Sequence, residues 1–133
     1  MAIKVILDAN FLFIPSQFHV DIFEELTKLL DQKFDLILLL PTYQEIQRIA
    51  EKGSPKMRKL ASLALNLAEN CSIVNVETHP EESHDELIVR VAKEWGCPVA
   101  TNDRELRKRL RKENVPTIFL RQRAYLDIEG SIR

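Results

Sequence analysis

Residues 3–7, Ile3-Lys4-Val5-Ile6-Leu7, scarcely alternate, and residues 35–40 carry the unbroken apolar run Leu36-Ile37-Leu38-Leu39-Leu40. A strand with one wet face alternates with period two; runs without that alternation need cover on both faces, as in a parallel sheet. Helical patterns fill the intervals. Phe18, Ile22, Phe23, Leu26, Leu29 and Leu30 recur at helical spacing over residues 18–30. Thr42 with Glu45 has the form of a capping box, opening a helix that stops near Gly53. Ser54-Pro55 restarts a helix whose apolar face is Leu60, Leu63, Ala64, Leu67 and Ala68. Ser83 and Glu86 form a second capping box for a helix with Leu87, Ile88, Val91, Ala92 and Trp95 inward, ended by Gly96. Residues 103–113 read as a basic helix held by Leu106 and Leu110. Short strands are expected at 72–76, 98–100 and 116–120. The tail from Arg121 is irregular by pattern, although Tyr125, Leu126 and Ile128 have the character to pack. This alternation predicts one α/β domain over residues 1–133, with helices on both faces of a parallel sheet.

Composition narrows the chemistry. Only three glycines occur in 133 residues, and no Gly-rich phosphate loop or dinucleotide fingerprint is present. The net charge of −1 leaves any nucleic-acid affinity to a local patch. Cys71 and Cys97 are far apart and the three histidines lack metal-finger spacing, so reduced, buried thiols are expected. No leader pattern precedes the first strand and no apolar run reaches membrane-spanning length. A cytoplasmic protein without a membrane partner is the expectation.

Four acids stand at the ends of these elements. Asp8 follows the first strand, Glu45 lies just past the second, Asp85 opens the helix after residue 83, and Asp103 follows Val99-Ala100-Thr101-Asn102. In an open parallel sheet the carboxyl ends of the strands line one crevice, where acids distant in sequence converge. Such a cluster repels itself unless a cation sits in it, and oxygen ligands select Mg²⁺ or Mn²⁺. A metal so held lowers the pKa of a bound water and neutralises phosphate charge, which points to phosphodiester hydrolysis. Each acid also has a plainer reading. Asp8 would cap the next turn, Glu45 would complete a capping box, Asp85 would meet a helix dipole, and Asp103 or Asn102 would cap the basic helix. Asn10 and Thr101 would orient a water or phosphate, or merely finish a turn.

Arg104, Arg107, Lys108, Arg109, Arg111 and Lys112 crowd the helix after Asp103, and Lys52, Lys56, Arg58 and Lys59 form a second group. Basic residues beside an acidic pocket suit an anionic backbone whose cleaved phosphate meets metal. Alternatively they are solvated faces with pairs such as Glu105 with Arg109. His84, beside Asp85, reads as an exposed residue near a cap, or as a local acid or phosphate contact.

The segments Val5-Ile6-Leu7-Asp8-Ala9-Asn10-Phe11-Leu12, Pro41-Thr42-Tyr43-Gln44-Glu45-Ile46, His84-Asp85-Glu86-Leu87-Ile88 and Val99-Ala100-Thr101-Asn102-Asp103-Arg104-Glu105-Leu106, in this order, resemble the PIN-domain nucleases over essentially the whole chain. The flavour is similar to the archaeal Fcf1/Utp24-like group and to the VapC toxins. The resemblance implies a five-stranded parallel sheet of order 3-2-1-4-5. It also implies Mg²⁺- or Mn²⁺-dependent RNA cleavage. It carries metal-ligand roles onto Asp8, Asp85 and Asp103, a second metal or a water onto Glu45, and supporting roles onto Asn10 and Thr101. Arg104, Arg107, Lys108 and Arg111 would grip RNA. Some relatives pair two aspartates in the third motif, where His84 and Glu86 flank Asp85 here.

The expected function is therefore a metal-dependent endoribonuclease, in rRNA processing or as a toxin-type RNase. The alternative is an RNA-binding or ribosome-assembly scaffold that barely cuts. A phosphatase or receiver domain fits poorly, because Asn10 stands where the former wants a second aspartate. Expected partners are RNA, an antitoxin or a ribosome-assembly protein, and a second copy of the chain if the helix at 54–70 leaves apolar residues exposed.

Overall fold

A computed structural model describes residues 2–132. Strands β1 (Ile3–Leu7), β2 (Phe34–Leu39), β3 (Ser72–Val74), β4 (Val99–Ala100), β5 (Thr117–Arg121) and β6 (Tyr125–Glu129) form one sheet. Among the described residues its order is β3-β2-β1-β4-β5-β6. The first five pair in parallel in the expected order 3-2-1-4-5, and β6 adds an antiparallel edge. Helices α1 (Ile14–Phe18), α2 (Ile22–Leu30), α3 (Leu40–Lys52), α4 (Pro55–Ala68), α5 (His84–Trp95) and α6 (Arg104–Lys112) complete the chain, with a 3-10 turn at Ala9–Phe13.

The non-alternating strands do face two cores. Val5, Leu7, Leu36 and Leu38 join Leu26 and Ile46 on one side. Ile6, Ile37, Leu39 and Val99 join Ile88 and Leu106 on the other. No helix among the described residues is long and apolar enough to cross a membrane.

Three local expectations are corrected. The helix expected at 18–30 covers Ile22–Leu30 only. His19 adopts a left-handed φ of 56°, and Asp21 accepts from the amides of Phe23 and Glu24 at 3.1 Å, restarting the chain. The Thr42–Glu45 capping box does not form. Helix α3 starts at Leu40 with Pro41 in its first turn and no side-chain cap, so Thr42 is already helical and fully buried.

The tail, expected to be irregular, is strand β6. Its core-facing residues are Leu126, buried, and Ile128, partly buried, while Tyr125 is 39% exposed. The turn before it places Gln122 and Arg123 at positive φ, 54° and 57°. Glycine, asparagine or aspartate would have signalled such a turn; neither residue present does. The strand is also guarded against edge pairing. Glu25 accepts from the Leu126 amide at 3.4 Å, and Asp127 accepts from the Ile128 amide at 2.8 Å.

On α4, Ala61, Ala64 and Ala68 are buried, whereas Leu63, expected on the apolar face, is 41% exposed. Because β6 contributes to the core through Leu126, Leu126→Ala should cost about 2–4 kcal/mol. Tyr125→Ala should cost under about 1 kcal/mol. Urea denaturation of both variants checks the difference; equal costs would deny β6 its core role.

Candidate active site

The sheet order reverses direction between β1 and β4, and the crevice outside their carboxyl ends is where ligands bind in such sheets. Leu7 and Ala100 end these neighbouring strands in register, and the Asp8 amide donates to Ala100 at 2.9 Å. Asp8 and Thr101 therefore emerge side by side.

Asp8 is 6% exposed, so its carboxylate needs hydrogen bonds. Its Oδ1 accepts from the Ala9 amide at 2.9 Å, and its Oδ2 from Asn10 Nδ2 and Thr101 Oγ1, each at 2.9 Å. Asn10 Oδ1 in turn accepts from the Asn102 amide at 2.9 Å. Asn102 Oδ1 accepts from the Leu120 amide at 3.2 Å, which laces the β4 and β5 ends together. Thr101 Oγ1 also accepts from the Asp103 amide at 3.1 Å. Asn10 and Thr101 thus orient two acids.

Asp103 is the N-cap of α6. Its Oδ1 accepts from the amides of Glu105 and Leu106 at 2.8 and 3.2 Å, which leaves Oδ2 outside the cap. Asp85 lies in the first turn of α5, where Ser83 does the capping by accepting from the Glu86 amide at 3.1 Å. Burial holds the pKa of Asp85 above its ordinary value, and the charges of Asp8 and Asp103 push it further the same way, against the pull of Arg109 and His84. The Asp85 carboxyl is thus within reach of the charges of both Asp8 and Asp103.

His84, read from the sequence as an exposed residue near a cap or as a local acid or phosphate contact, lies at the site, and so does Thr42, read only as a cap. His84 Nε2 lies 3.0 Å from Thr42 Oγ1 and 3.9 Å from Asp8 Oδ1, linking α5 to α3 and to the buried acid. The signal for Thr42 was masked by its resemblance to a helix cap. Glu45 sits one turn beyond Thr42 on α3, and its partner among the described residues is Arg48. The structure thus brings Asp8, Asn10, Asp85, Thr101 and Asp103 together, whereas Glu45 is paired with Arg48 on α3.

Of the basic residues, Arg104 and Lys108 are exposed, Lys108 lying 3.7 Å from Glu105. Arg107 and Arg111 are engaged within the fold. The Arg107 guanidinium stacks 3.7 Å from the Phe119 ring centre, and Arg111 Nε donates to Glu129 at 2.8 Å. Burial pushes both thiols, half-buried Cys71 and buried Cys97, up to about 11, which disfavours the thiolate.

The sequence profile of the PIN like domain matches residues 5–123. The chain belongs to the PIN like domain family. It is 33% identical over 132 residues to the ribonuclease VapC4 of Methanocaldococcus jannaschii, covering 97% of this chain and 98% of the relative. The solved structure of the PIN domain endonuclease Utp24 superposes with a TM-score of 0.76 at 26% identity, covering 97% of this chain and 92% of that one. The VapBC2 complex of Rickettsia felis with a promoter DNA fragment shares the fold, with a TM-score of 0.64 at 16% identity over 90% of this chain and all of that one.

Among the described residues no three acids, histidines or cysteines close into a ready coordinating set. The donors nevertheless suit a hard divalent cation. Asp8, Asp85 and Asp103 offer oxygen alone, and Asp85 has no hydrogen-bonding partner for its carboxylate among the described residues. Folding raises the pKa of Asp85 above 3.8, so folding favours its protonated form. Its charge therefore costs stability above the raised pKa, and that cost vanishes as pH falls below the unfolded value. Asp85→Asn should raise the melting temperature of the metal-free PIN domain at pH 7, with the gain shrinking toward pH 4. Scanning calorimetry checks this; a lower melting temperature at pH 7 would mean that Asp85 stabilises the fold.

Proposed function

We propose that this PIN domain is a divalent-metal-dependent endoribonuclease whose metal is held by Asp8, Asp85 and Asp103, with Glu45 binding a second ion or a water. The observation that carries this reading is the pairing of a tightly oriented acid with a repelled one. Asp8 is fixed by three donors, while Asp85 sits without a partner against the charges of Asp8 and Asp103. A scaffold that merely bound RNA would gain nothing from that repulsion. Membership of the family, and similarity to a named ribonuclease and a named endonuclease, support the same chemistry.

Bound Mg²⁺ or Mn²⁺ would supply charge neutralisation at the scissile phosphate and a water of lowered pKa. The chain's own contributions follow from its hydrogen bonds. Thr101 and Asn10 hold Asp8 Oδ2 in one orientation, so no reorganisation is needed when substrate arrives. Thr101 also ties the Asp103 amide, keeping Asp103 Oδ2 clear of the cap. His84 bridges Thr42 and Asp8 and holds the start of α5, with Asp85, at the crevice. Arg104 and Lys108, exposed beside Asp103, would meet backbone phosphates. The fuller similarity to VapC4 favours a toxin-type role over rRNA processing, with an antitoxin as partner.

Incubating structured RNA with Mg²⁺, Mn²⁺ or EDTA tests the reading. The wild type should cut with metal only. Outer-shell losses at metal sites typically cost 10–100-fold, so Asp8→Asn, which removes a ligand, should lose about 100-fold or more. Cleavage that persists in EDTA, or survives Asp8→Asn, would refute the metal mechanism. Binding without turnover under any metal would favour the scaffold.

A further inference from the structure

Helix α6 carries cations on two sides, and the structure treats them differently. Toward β5 and β6, Arg107 stacks on Phe119 and Arg111 is paired with Glu129. Toward α5, Arg109 and Lys112 line an open groove of about 530 Å³ between the two helices. They lie three residues apart on one helix face, about one turn, and neither has an ion-pair partner among the described residues. The other cations of the groove are spent. Arg90 donates to Glu82 at 2.7 Å and pairs with Glu94 at 3.4 Å, and Lys93 pairs with Glu113 at 2.8 Å. Facing Arg109 and Lys112, the α5 wall carries Glu86, which has no ion-pair partner among the described residues, and one Arg90 shared by Glu82 and Glu94.

The groove and the acid site share helix α5. Glu86 follows Asp85 directly, and the charge of Arg109 acts on Asp85. The α5 wall, with three acids to two cations, repels a polyanion in the groove, and the two unpaired cations of α6 attract it. We propose that this α5–α6 groove is the track of the RNA strand flanking the cut, with Arg109 and Lys112 each holding a backbone phosphate. The inference rests on the nuclease reading, and it moves the main RNA contact away from Arg107 and Arg111, whose charges the fold already uses.

The test separates binding from cleavage. Asp8→Asn protein in EDTA is titrated into a fluorescein-labelled single-stranded oligouridylate of about 12 nucleotides, and anisotropy is read at several salt concentrations. Adding Arg109→Ala and Lys112→Ala should weaken binding about 10-fold or more. The slope of log affinity against log salt should fall by about 1.4, since each phosphate contact on a single strand contributes about 0.7. Both side chains are exposed, so circular dichroism should be unchanged. Arg107→Ala with Arg111→Ala should lower the melting temperature more than the affinity. Affinity within twofold and an unchanged slope in the Arg109/Lys112 variant would overturn the proposal. So would absence of binding by the Asp8→Asn protein, or an affinity loss that follows Arg107 and Arg111 instead. Failure of the wild type to cut RNA would count against the nuclease reading alone, because the groove is assayed without cleavage.

Discussion

A carboxylate at the buried end of β1 is the constraint around which this molecule is arranged. Asp8 is 6% exposed, and an ionised group there is tolerable only if its lone pairs are met. The Ala9 amide, Asn10 and Thr101 meet them. Supplying Thr101 requires β4 to end in register with β1, as the Leu7–Ala100 pairing does. Supplying Asn10 requires the chain to turn at once, as the 3-10 turn from Ala9 does. The switch point of the sheet and the orientation of the acid are one solution to one electrostatic demand.

In Asp8 and Asp103 the capping hydrogen bonds fall on one oxygen of the carboxylate. Asp103 caps α6 with Oδ1, leaving Oδ2 outside the cap, and Asp8 caps its own turn with Oδ1 while Asn10 and Thr101 donate to Oδ2. A capping role is therefore no argument against a ligand role. Asp85 lacks even that compromise. Ser83 takes over the cap, and the Asp85 carboxylate, without a hydrogen-bond partner among the described residues, feels the charges of Asp8 and Asp103. Folding bears that repulsion because the two cores, far larger in buried area, outweigh it.

The parallel core was readable because buried strands lose period-two alternation, and Val5, Ile6 and Leu7 show that loss directly. Asp8, Asp85 and Asp103 were readable because each stands where a strand ends or a helix begins. What escaped notice did so for local reasons. The β6 hairpin turns through Gln122 and Arg123, residues that do not advertise positive φ, so only Leu126 and Ile128 hinted at a strand. Thr42 and Glu45 matched a capping box that Pro41 pre-empted by starting α3 earlier. That mismatch concealed Thr42 as a partner of His84, since a cap residue is expected at the surface and Thr42 is fully buried.

The basic helix shows where residue type alone stops informing. Six cations in nine residues read as one patch, and counting cannot rank them. Packing can. A guanidinium is planar and weakly hydrated, so Arg107 can lie on Phe119 with its Nε buried and unpaired among the described residues. Arg111 reaches the edge strand and meets Glu129 there. Both therefore help fasten β5 and β6 to α6, and drawing either onto a phosphate would release Phe119 or Glu129 in exchange. Arg109 and Lys112 have no ion pair to break among the described residues. Binding energy comes most cheaply from cations that the free protein leaves unpaired, and in this PIN domain two of them, Arg109 and Lys112, lie on the side of α6 that faces α5.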